Sequence, residues 1–111
     1  MTTPIAITSA DQRILLDLLR RHLPDTEVWV YGSRVTGAAR PPSDLDMVVF
    51  ASPDQRFQVA DLREALEDSA LSFRVDLFIW SDVPESFRNN IQARHVAIQK
   101  GKPQPAEPQS R

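Results

Sequence analysis

Apolar residues recur at two different periods along this chain, and the change from one period to the other sets the order of its elements. Ile14, Leu15, Leu18 and Leu19 fall at helical spacing, with Asp17, Arg20 and Arg21 between them. They predict a helix over about residues 10–22. Ser9 to Gln12 has the spacing of a capping box, and Pro24 lies just past the end, where helices stop. Val28-Trp29-Val30-Tyr31 is β-branched and aromatic, and Gly32 closes it, so it reads as a first strand. Residues 33–39 fit one or two helical turns. They cannot run on through Arg40-Pro41-Pro42-Ser43, because two prolines fix φ and remove donors. Asp44 to Phe50 is a second strand that turns continuously apolar. Ser52-Pro53 then opens a helix over about 53–69 carrying Phe57, Val59, Leu62, Ala65 and Leu66. Phe73 to Trp80 is a third strand. Ser81 to Pro84 begins a last helix with Phe87, Ile91, His95, Val96 and Ile98, stopping near Gly101.

The expected fold is therefore α/β: a small mixed β-sheet of about three strands flanked by about four helices, which must cover at least one sheet face. The chain has 111 residues, enough for one core and not for a separate substrate domain. A single domain over 1–101 is expected. Residues 102–111 hold three prolines and no large apolar side chain, and read as a disordered tail. Recognition of a second substrate must then come from a partner or a second copy. The net charge of −2 argues against a broad nucleic-acid surface but leaves room for one nucleotide. Cysteine is absent, which excludes thiol chemistry and thiolate metal sites. No leader-like start and no apolar run near the ~20 residues of a membrane span is visible, so a cytoplasmic protein is expected.

The chemistry concentrates in Gly32-Ser33, ten further residues, and Asp44-Leu45-Asp46. Side chains two apart on a strand share a face, so Asp44 and Asp46 point the same way. They repel unless a cation lies between them, and no Lys or Arg interrupts the run. Asp76 sits in an otherwise apolar third strand, where a charge is costly unless paired or metal-bound. Were the second and third strands neighbours, three carboxylates could share two divalent ions about 3.5–4 Å apart. Gly32 ends a strand before an expected helical turn, where backbone N–H groups and the Ser33 hydroxyl could cradle phosphate.

The segment from Tyr31 to Asp46, with Gly32-Ser33-Arg34, Gly37, Arg40 and Ser43-Asp44-Leu45-Asp46, closely resembles the signature of the polymerase-β-like nucleotidyltransferase superfamily. It is most similar to the minimal nucleotidyltransferases (MNT). The resemblance covers about residues 10–100. It implies Mg²⁺-dependent transfer of a nucleoside monophosphate from an NTP, ATP above all, to a hydroxyl. Gly32 and Ser33 would bind phosphate, and Arg34 would touch it. Asp44 and Asp46 would hold metal, and Asp76 would be the third ligand or the base. It further implies a HEPN-domain toxin as partner, with this chain as the antitoxin that adenylylates it.

Plainer readings fit other residues. His22 and His95 lack metal-ligand partners, Trp29 and Trp80 read as core or interface, and Gly37 reads as a turn. Arg40, Lys100 and Lys102 read as solvated. Two rival functions remain: an antitoxin that acts by occlusion without catalysis, and transfer to a small-molecule hydroxyl.

Overall fold

The computed structural model describes residues 7–32 and 44–101. The first helix, α1, spans Ser9–His22. Its cap is Thr8, one residue earlier than the sequence suggests: the Thr8 hydroxyl accepts from the Asp11 backbone N–H at 3.1 Å. This frees Asp11, which turns inward and accepts from the Ser72 hydroxyl at 2.6 Å. Leu15 and Leu19 of α1 are fully buried.

Strand β1 is Val28–Tyr31 and β2 is Leu45–Val49. A short 3-10 turn, Pro53–Gln55, follows; the Gln55 side chain accepts from the Ser52 N–H at 2.8 Å. Helix α2 is Arg56–Asp68, and it carries the chain across to β3, Val75–Ile79. A second 3-10 turn over Trp80–Asp82 leads into α3, Glu85–Ala93.

The last segment differs from expectation. The final helix ends at Ala93, and Val96–Gln99 is a fourth strand, β4, antiparallel to β1. Phe87, Ile91, His95 and Ile98 lie at spacings that also suit a helix, which is why periodicity misleads here. The pairing decides the outcome, because β1 would otherwise present an unpaired edge. His95 marks the break: its Nδ1 lies 3.0 Å from the Ile91 carbonyl, at the end of α3. The described residues thus hold four strands and three α-helices, a mixed α/β architecture as expected, with the counts shifted by this one segment. The helical turn expected at 33–39 and the tail at 102–111 lie outside the described residues.

The strand order is β3-β2-β1-β4, with β2 and β3 parallel and the other pairs antiparallel. One face carries Val28, Val30, Leu45, Met47, Val49, Leu77 and Ile79, packed on α1 and on Val59, Leu62 and Leu66 of α2. This is the main core. The opposite face carries a smaller cluster in which Val48, Val83 and Ile91 are buried beside Trp29, Tyr31, Phe50 and Trp80. There the His95 ring stacks on Trp29 at 3.7 Å, and Phe50 sits 4.8 Å from Trp80. Both tryptophans therefore serve packing, and His95 is a stacking and capping residue. No helix among the described residues is long and apolar enough to cross a membrane.

Candidate active site

Register builds the site. Tyr31 of β1 pairs with Asp46 of β2, and Asp46 pairs with Asp76 of β3. The three side chains form a row across the sheet, on the face opposite the main core. Asp44, just ahead of β2 and two residues before Asp46, continues the same face by alternation; the Leu45 N–H donates to the Arg74 carbonyl at 2.8 Å, just ahead of β3. Parallel pairing of β2 with β3 thus brings Asp76 beside Asp46, which lies 30 residues earlier in the chain (76 − 46 = 30).

All three aspartates are half-buried, and none is in an ion pair among the described residues. The crowding shows at one of them. The Asp46 carboxyl is pushed above its usual value, first by burial, then by the charge of Asp76 and that of Asp44. The Tyr31 phenol is pushed up to about 12, by burial first and then by Asp46 and Asp76. Among the described residues, the row is an electronegative patch with no ion-paired counter-charge.

Gly32 closes β1 at φ +88°, in the left-handed region that glycine tolerates. A Cβ there would run into the Asp46 carboxylate. Glycine is therefore required on two grounds, backbone conformation and the close approach of a site carboxylate. Ser33 and Arg34, the expected phosphate contacts, lie outside the described residues.

The donor set suits a hard divalent cation, since it offers carboxylate oxygens alone. Among the described residues no three His, Cys, Asp or Glu side chains converge tightly enough to hold an ion unaided. Mg²⁺ takes only one or two carboxylates and completes its shell with phosphates and water, so the arrangement fits a site finished by its substrate.

A cleft of about 890 Å³ opens beside this row, along the outer edge of β3. Asp44, Asp76, Arg63, Arg74, Phe73 and Phe78 are among its walls. Arg74, Phe78 and Tyr31 were not singled out from sequence. Stepping two residues either way from Asp76 would have placed Arg74 and Phe78 on its face. Tyr31 needed the β1–β2 register.

Comparison with known proteins bears on the family and the fold. The profile of the family described as "Polymerase beta, Nucleotidyltransferase" matches residues 15–103. The probable protein adenylyltransferase MntA of Haemophilus influenzae is 39% identical over 95 residues, which is 85% of this chain and 83% of that one. Among solved structures, a toxin–antitoxin with AMP-PNP superposes with a TM-score of 0.63 at 20% identity, over 82% of this chain and 74% of that one. A second holds a tri-AMPylated HEPN toxin of Shewanella oneidensis with its MNT antitoxin. It gives a TM-score of 0.53 at 16% identity, over 85% and 73%. At these identities the two structures speak for the fold.

Proposed function

The chain belongs to the polymerase β nucleotidyltransferase family, and we propose that it transfers AMP from Mg·ATP to a hydroxyl of a protein partner, a HEPN-domain toxin that it neutralises. The observation that carries this is the carboxylate row: Asp46 and Asp76 in register on adjacent strands, with Asp44 on the same face and none of the three in an ion pair among the described residues. Such a row is unfavourable in the empty protein and becomes favourable on loading.

In this reading Asp44 and Asp46 hold metal, and Asp76 is the third ligand or the base. Bound Mg²⁺ supplies neutralisation of the triphosphate and of the developing charge on the leaving oxygen. Gly32, Ser33 and Arg34 take the β,γ-phosphates, with the Gly32 backbone close against Asp46. Asp76 accepts the proton of the acceptor O–H. The acceptor oxygen bonds the α-phosphorus, the bond from that phosphorus to its leaving bridge oxygen breaks, and pyrophosphate departs. The protein acceptor is supported by the 39% identical relative, named for protein adenylylation. The HEPN partner is supported by the complexes that share the fold.

The test is to incubate the chain with a HEPN-domain protein, ATP and Mg²⁺, and to weigh that protein by mass spectrometry. A gain of adenylyl mass that vanishes with Asp44→Asn or Asp46→Asn supports the reading. An unmodified partner that is nevertheless neutralised equally well by Asp46→Asn overturns it in favour of occlusion.

A further inference from the structure

Folding accounts for only part of Tyr31. Its ring packs on the smaller cluster of Val48, Val83 and Ile91, and a phenyl ring could do the same. Its hydroxyl makes no hydrogen bond among the described residues. It lies instead within the field of the carboxylates, since the charges of Asp46 and Asp76 both act on the phenol. Strand order fixes its side of the site. β2 lies between β3 and β1, so Asp76 and Tyr31 flank Asp46 on opposite sides. Two strand spacings, about 10 Å, separate their backbones. In the proposed transfer Asp76 faces the acceptor hydroxyl. Attacking and leaving oxygens lie roughly in line through the phosphorus, so the leaving oxygen points toward the Tyr31 side. Gly32 follows Tyr31 directly and closes against Asp46, and its backbone is assigned to the β,γ-phosphates. Both lines put the departing pyrophosphate beside Tyr31.

We infer that the Tyr31 hydroxyl binds the leaving pyrophosphate, donating its O–H to an oxygen of that group as the bond to the α-phosphorus breaks. The inference rests on the nucleotidyl-transfer reading and adds a leaving-group contact to it. Of the three side chains in the row Tyr31 alone can donate, because ionised carboxylates only accept and a phenol keeps its proton at neutral pH. The proton stays on Tyr31 throughout. The hydrogen bond strengthens as negative charge gathers on the leaving oxygen. It also offsets part of the repulsion that a pyrophosphate anion meets from the neighbouring carboxylates.

The test uses the full chain, a HEPN-domain protein and Mg·ATP, with Mg·pyrophosphate as product inhibitor. Tyr31→Phe keeps the ring and removes the donor. Its kcat for AMP addition should fall about tenfold or more, and the inhibition constant of pyrophosphate should rise by about the same factor, the loss of one hydrogen bond to a charged group. The KM for the protein acceptor and the half-saturating Mg²⁺ should not move. Tyr31 is the chain's single tyrosine, so 3-fluorotyrosine incorporated during expression reports it alone. Its fluorine resonance should shift on adding Mg·pyrophosphate, beyond the shift that Mg²⁺ alone gives, and this readout does not depend on the variant folding. Unchanged pyrophosphate inhibition in Tyr31→Phe, or a fluorine resonance indifferent to pyrophosphate, refutes the contact while transfer itself stands. A raised acceptor KM puts the hydroxyl on the acceptor side, and a raised Mg²⁺ requirement alone makes it a support for Asp46; either overturns the inference. If the wild type adds no AMP at all, the transfer reading fails and this contact falls with it.

Discussion

Asp46→Asn should stabilise the protein while abolishing transfer. Asp46 and Asp76 are register partners on adjacent strands, so their chains are about 4.8 Å apart with both side chains on one face. Two unit charges about 5 Å apart repel by about 0.8 kcal/mol in a water-like medium and about 3 kcal/mol at an effective dielectric constant of about 20. Both groups are half-exposed and screened, so the lower end applies, about 1 kcal/mol. Asparagine keeps the shape and removes the charge. For a domain of this size the melting temperature should rise by about 4 °C. The sign follows from the raised carboxyl. Folding favours the protonated form, so the ionised carboxylate costs stability above its folded pKa. That cost disappears as pH falls through it, because the wild-type group then takes up a proton. The advantage of the variant should therefore be largest near pH 7, shrink on acidification, and shrink in high salt. Added Mg²⁺ should raise the melting temperature of the wild type more than that of the variant. Differential scanning calorimetry across pH measures all of this. An Asp46→Asn protein that melts at or below the wild type at pH 7 would refute the uncompensated-carboxylate argument.

Three further predictions follow from single residues. Gly32→Ala places a Cβ at φ +88° against the Asp46 carboxylate, so it should cost about 1–2 kcal/mol in urea melts and lower transfer at least about tenfold; unchanged activity would remove Gly32 from the site. Tyr31 is the chain's single tyrosine, so phenolate absorbance reports it alone: its midpoint should lie near 12 rather than 10.0 and fall in Asp46→Asn, and its contribution to stability, full below pH 10.0, should be lost as pH approaches 12. Leu62→Ala empties a fully buried position between α2 and the sheet, and chemical denaturation should show a loss of about 2–5 kcal/mol.

Much of the fold was legible because its periods are local. Leu15 and Leu19 mark α1, Val59, Leu62 and Leu66 mark α2, and the β-branched runs mark β1 to β3. The fourth strand was not legible. Val96 and Ile98 suit either period over so short a span, and the deciding fact, the open edge of β1, is tertiary. The same division runs through the site. Strand alternation alone puts Asp44 and Asp46 on one face. That Asp76 joins them depends on the parallel register of β2 with β3. That Tyr31 completes the row depends on the antiparallel register of β1 with β2.

The central claim is that this carboxylate face transfers a nucleotidyl group and not a phosphoryl group. ATP labelled on the α-phosphate, or separately on the γ-phosphate, and incubated with Mg²⁺, the chain and its protein partner distinguishes the two. The α-label should appear on the partner and the γ-label in free pyrophosphate, with both signals lost in Asp44→Asn and Asp46→Asn. A γ-label on the partner, or an α-label transferred equally well by both variants, would contradict it.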